Sequence, residues 1–87
     1  MLRAFDYKCA YTGEPLTPEN FSFDHVQTRS KNGVHHISNI VPCTQEANNR
    51  KHAKDFQEWY INSKYYSLDR LIKIMAWQEF ALDVWPY

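Results

Sequence analysis

The chain has 87 residues, 44% of them hydrophobic and 16% aromatic, with 10 basic and 10 acidic side chains and a formal charge of zero. That size fits one domain with a thin core, and the apolar content excludes disorder. Two glycines exclude a glycine-rich phosphate loop, no apolar run reaches the ~18–20 residues of a membrane span, and zero charge by itself argues against a nucleic-acid partner.

The stretch MLRAFDYKCAYTGEP has no apolar signal-peptide core, which predicts an intracellular protein. Its two cysteines are then thiols rather than a disulfide framework. Residues 9–20 are rich in turn formers. Thr17 is placed to cap a single turn with Pro18 at its first position. Phe21-Ser22-Phe23 alternates apolar and polar and leads into Asp24-His25, a short strand with Phe21 and Phe23 on one face. Residues 27–38 are a polar loop with Asn32-Gly33 as its turn. Asn39-Ile40-Val41 begins a second strand, which Pro42 ends or confines to an edge. Thr44 caps a helix from Gln45 to about Arg50. Phe56, Trp59 and Tyr60 recur at helical spacing, and Ser67 caps a last helix in which Leu68, Leu71, Ile72 and Met75 share a face. The expected fold class is α+β, a single domain over residues 1–87. Its core spans about 9–54, and a helical segment at about 55–87 packs on it.

The zero charge hides a pattern. Residues 25–54 sum to +4, between flanks of −2 each. A local basic patch attracts phosphate whatever the total, because screening limits exposed charges to about 8 Å.

Hydrolysis of a phosphodiester needs a base to activate water, a divalent cation to neutralise the leaving oxygen, and cationic side chains for the remaining charge. His25 suits the base. Asp24 offers a hard oxygen for Mg²⁺ or Mn²⁺, and the Asn48 amide oxygen suits a second ligand. Lys51 lies three residues beyond Asn48, on nearly the same helix face. Neighbours on a strand point to opposite faces, so Asp24 and His25 serve one site only if the strand ends or twists there. Asn39 is placed to bond the backbone across the hairpin and hold His25. Each residue taken singly also suits a turn, a cap or ordinary helix surface.

Together, FDHVQTRSKNGVHHISNIVPCTQEANNRK at residues 23–51 resembles the HNH endonuclease motif of the ββα-metal nucleases. The resemblance covers residues 9–51 well and 52–75 loosely. It implies a two-stranded hairpin and helix, with His25 as general base, Asp24 and Asn48 holding one Mg²⁺-like ion, Asn39 as the structural middle Asn and Lys51 beside the scissile phosphate. It implies cleavage of DNA to 5′-phosphate and 3′-hydroxyl ends, one strand per site. His52, four residues after Asn48, is a further candidate ligand. Arg29, Lys31, Arg50 and Lys54 are expected on the DNA backbone. With no recognition helix outside the motif, little sequence specificity is expected. The alternatives are a catalytically silent DNA-binding module, or a nuclease subunit active only in a larger complex.

The chain departs from the family it resembles at the zinc knuckle. Where many of its members carry two Cys-x-x-Cys pairs, this chain has Cys9 and Thr12, then Thr44 and Ala47, with Cys43 one position out of register. Structural zinc is therefore not expected, and Cys9 and Cys43 are expected as buried hydrophobes. The rings of Trp59, Tyr60, Tyr65, Tyr66 and Trp77 are expected to replace the missing staple by packing on the ββα unit. They also offer a surface to a protein partner.

Overall fold

A computed structural model describes residues 1–28 and 33–86. After a 3-10 turn at Leu2–Phe5 and an irregular segment come β1 (Phe21–His25) and β2 (Ile40–Thr44), then α1 (Gln45–Lys51), α2 (Phe56–Asn62) and α3 (Leu68–Val84). The strands form a two-stranded antiparallel sheet, from Phe21 opposite Thr44 to His25 opposite Ile40. The fold is thus α+β, with a ββα order at its centre.

Pro42 stands in mid-strand rather than at its end. Bonded pairs alternate along an antiparallel ladder, and the Val26 N–H donates to the Asn39 carbonyl. That phase puts Phe23 and Pro42 in a non-bonded pair, so β1 never needs the missing N–H. The Pro42 carbonyl, on the outer edge, accepts instead from the Ala10 N–H at 2.9 Å.

The caps follow local chemistry. The Thr44 hydroxyl accepts from the Ala47 N–H, the Asp55 carboxylate from Glu58 N–H, and the Ser67 hydroxyl from Arg70 N–H. Thr17 and Asn20 bond reciprocally, as a turn rather than a helix.

The core joins Phe5, Cys9, Tyr11, Val26, Val41 and Cys43 to Ala47, Phe56, Tyr60, Ile74, Trp77 and Ala81. Tyr60 and Trp77 both pack on the ββα unit. The Tyr60 hydroxyl donates to the Tyr11 carbonyl, and the Trp77 indole N–H is shared between the Ile37 and Ile40 carbonyls. Arg70 clamps α3 to the N-terminal loop by donating to the Tyr11 and Tyr65 carbonyls at 2.9 and 2.7 Å. It crosses over Gly13, whose φ of 79° and lack of a Cβ leave room for the guanidinium.

The expected apolar face of α3 is not the buried one. Ile74, Trp77 and Ala81 face the core, with Leu71 partly covered, while Leu68, Ile72 and Met75 are exposed. Apolar residues surround this helix, so periodicity does not set its rotation. The Trp77 hydrogen bonds and the Arg70 clamp do.

No helix among the described residues is long and apolar enough to cross a membrane.

Candidate metal and phosphate site

The β1 strand ends at His25, and that ending brings two neighbours to one pocket. Asp24, His25, Thr28, Asn48, Asn49, His52 and Ala53 line a cavity of about 420 Å³. The β1 end supplies the first two, and the last turn and C-cap of α1 supply the four at 48–53.

Asp24 is 9% exposed. Its Oδ2 accepts from the Tyr11 hydroxyl at 2.6 Å and from Lys51 Nζ at 3.0 Å. Its Oδ1 takes no bond from the described residues. No buried side-chain oxygen among the described residues lacks a partner, so Oδ1 is the solvent-open oxygen of this carboxylate. Burial, and next the Asp24 charge, push the Tyr11 phenol well above its ordinary pKa. Tyr11 therefore stays a neutral donor.

Lys51 is completely buried. Besides Asp24, its ammonium donates to the His25 carbonyl at 2.9 Å. It ties the carboxylate and the His25 backbone together from below, and so does not present a charge to the surface. A charge buried this deeply is tolerated only because it is paired and hydrogen-bonded.

Asn48 is held by its amide N–H, which donates to the Ser22 hydroxyl at 3.1 Å and the Phe23 carbonyl at 3.5 Å. Among the described residues its oxygen takes no bond. Asp24 and Asn48 thus each turn an oxygen to this pocket that the described residues leave unbonded.

His25 is half-buried, and its Nε2 lies 3.0 Å from Nδ1 of exposed His35. Asn39 is 5% exposed and fills its hydrogen-bonding capacity on the loop. Its Oδ1 accepts from the Gln27 N–H, and its Nδ2 donates to the Gln27 and Val34 carbonyls, all at 2.9 Å. It thereby closes the loop that follows His25. His36 is occupied elsewhere, at Ser38.

Helix α1 stops at Lys51, and His52 is its C-cap with a left-handed φ of 49°. The helical-face argument for His52 therefore fails, yet the residue still lines the pocket. Arg50 and Lys54 do not. Arg50 pairs with Glu46, and both basic residues line a separate groove that shares only Ala53 with the pocket. Arg29 and Lys31 lie outside the described residues. His35, a histidine of the loop after β1, meets His25 at the pocket. Tyr11 escaped the sequence reading. Tyr11 carries no motif, and only its place in the Cys9-x-x-Thr12 loop beneath β1 singles it out.

A divalent hard cation fits what is present: a carboxylate oxygen and an amide oxygen held by bonds behind them, with His52 alongside. Among the described residues no three His, Cys, Asp or Glu side chains gather as a closed metal cage. Mg²⁺ commonly uses one or two carboxylates and keeps several waters. Zinc does not fit the knuckle. There the Cys9 sulfur accepts from the Thr12 and Thr44 N–H groups at 3.4 and 3.3 Å. With Thr44 capping Ala47, these positions offer one thiol where four ligands are needed. Cys43 is buried, and burial raises its thiol pKa strongly.

No family model matches the sequence. Among curated proteins, the chain is similar to the "SPbeta prophage-derived putative HNH endonuclease YoqL" of Bacillus subtilis (strain 168). The two are 33% identical over 82 residues, covering 84% of this chain and 36% of the relative. The chain thus spans about a third of that relative's length.

Proposed function

We propose that the chain is an HNH-type nuclease domain that hydrolyses DNA phosphodiester bonds with one Mg²⁺ or Mn²⁺ ion. The observation that carries this reading is the meeting, in one pocket, of His25 with an Asp24 oxygen and an Asn48 oxygen that take no bond from the described residues. The named relative agrees with it.

Asp24 and Asn48 would hold the ion, with His52 as an additional donor; once bound, it would stabilise charge on the phosphate and the departing 3′ oxygen. His25 takes a proton from water, whose oxygen attacks phosphorus while the P–O3′ bond breaks. The departing 3′ oxygen takes a proton from solvent, so the products are a 5′-phosphate and a 3′-hydroxyl, and each site cuts one strand. Asn39 positions His25 by closing the following loop. Lys51 acts through Asp24: its ammonium orients the carboxylate by a charge-assisted hydrogen bond, while Tyr11 holds it from the other side. Arg29 and Lys31, on the loop after His25, serve the DNA backbone.

Supercoiled plasmid with Mg²⁺ or Mn²⁺ tests the reading. The parent should produce nicked circles, EDTA should abolish them, and His25→Ala should lower the rate by about 10²–10⁴-fold, the usual worth of a positioned base. Equal nicking by parent and variant would refute it.

A further inference from the structure

A second cavity adjoins the one that holds the candidate site. A groove of about 850 Å³ runs beside it between the end of α1 and α2, and Ala53 lines both. Its walls carry Arg50, Lys54 and Lys64, and two rings, Trp59 and Tyr65. The acidic residues on the same wall are Asp55 and Glu58. Asp55 is occupied as the cap of α2, accepting from the Glu58 N–H. Lys54 reaches back to the Arg50 carbonyl, and Lys64 sits 5.4 Å above the Tyr65 ring. Three cations and two rings thus line one trough.

We propose that this groove binds a single strand of DNA that leaves the candidate site unpaired, with phosphates on Arg50, Lys54 and Lys64 and a base stacked on Tyr65 and Trp59. The chemistry is that of strand binding without base readout: ammonium and guanidinium groups follow the backbone, and a ring accepts any base face. Both rings are half-buried and backed by others. Trp59 meets Tyr11 edge-on at 5.2 Å and Tyr65 at 6.3 Å. A base would thus meet a pre-ordered platform. Contact with cut DNA rests on the nuclease reading, whereas strand binding by the groove does not.

The test is binding without chemistry. The full chain in EDTA is titrated into a labelled twelve-nucleotide oligo-dT and into a duplex of equal length, followed by anisotropy. The single strand should bind more tightly than the duplex. Tyr65→Leu, which removes the ring and keeps apolar bulk, should weaken single-strand binding about 5-fold or more. Lys64→Ala should weaken it less and reduce the salt slope by about 0.7, the single-strand value for one phosphate. Circular dichroism melts confirm that both variants fold. Unchanged single-strand affinity in Tyr65→Leu, or preference for the duplex, would overturn the proposal. Strand binding with no plasmid nicking would leave the groove standing and sink the nuclease reading. Nicking with no effect of either variant on strand binding would do the reverse.

Discussion

Two aspartate–lysine pairs of nearly equal length sit in opposite settings. Asp24 and Lys51 meet at 3.0 Å in the ββα half, with side chains 10% and 0% exposed. Asp6 and Lys73 meet at 2.8 Å on the outside of α3, at 70% and 44%. Distance alone would rank them alike. Water separates them, because it screens the outer pair and has been removed from the inner one. The inner pair also carries further bonds, from Tyr11 and to the His25 carbonyl. It is one node of a network that shapes the candidate site, whereas the outer pair joins two surface segments and nothing else.

The largest effect expected from this contrast is at Lys51. Lys51→Met removes the ammonium and leaves Asp24 buried with only Tyr11 as partner. Breaking a buried pair in this way costs about 3–5 kcal/mol. In a domain this small that threatens folding itself, so urea melts should show a large drop in midpoint. Asp24→Asn removes the other partner and should abolish nicking as well as destabilise. A Lys51→Met variant as stable as the parent would show that the network is ornamental.

The next effect tests which side of α3 belongs to the core. Ile74→Ala should cost about 2–5 kcal/mol, as buried Ile truncations do. Ile72→Ala, two residues away and exposed, should stay within about 0.5 kcal/mol of the parent. Thermal melts of the pair decide it, and a reversed order would restore the face that periodicity favours.

That helix marks where sequence reading stops. The strand order, the Thr44 and Ser67 caps and the place of α1 are written in neighbouring residues, because capping and turn chemistry act over three or four positions. The spacing of Asp24, His25, Asn39 and Asn48 is visible for the same reason, as a motif read along the chain. What could not be read was long-range. The rotation of α3 depends on Trp77 reaching the Ile37 and Ile40 carbonyls, 40 and 37 residues away. The buried state of Lys51 depends on Asp24, 27 residues earlier in the chain. An i,i+3 relation to Asn48 fixes the direction in which Lys51 leaves the helix. It does not say whether water or protein lies there. The end of α1 was legible to within a residue, but the left-handed φ of His52 that follows it was not, since that turn carries no glycine.

A smaller effect should appear at Tyr11, the neutral member of the inner network. Tyr11→Phe removes one hydrogen bond to a carboxylate, worth about 1–3 kcal/mol. It also carries a pH signature. Burial and the Asp24 charge raise the folded pKa of this phenol above its unfolded value, which is near 10 for a free tyrosine. The neutral form is therefore favoured by folding. Its contribution is complete below about pH 10 and is lost as pH rises toward the folded value. Melting midpoints of the parent should fall steeply above about pH 10, and those of Tyr11→Phe less so. Parallel curves would mean that other tyrosines carry the alkaline transition.

The smallest effect belongs to the outer pair. Lys73 holds the Asp6 carboxyl below its ordinary pKa, by hydrogen bond and charge. A lowered carboxylate pKa stabilises above the unfolded value and is lost as pH falls through the folded one. The window is therefore acidic, opposite to that of Tyr11. Both groups are largely open to solvent, and at physiological salt the screening length is about 8 Å. Lys73→Ala should thus melt with the parent at neutral pH and 0.15 M salt, and separate from it only at low ionic strength. A clear loss at physiological salt would mean that Asp6 fixes the Leu2–Phe5 turn against α3, and with it Phe5 against Trp77, whose rings meet edge-on at 6.1 Å. The contrast between the two pairs would then be one of degree, with the outer one reaching the core through the turn it holds.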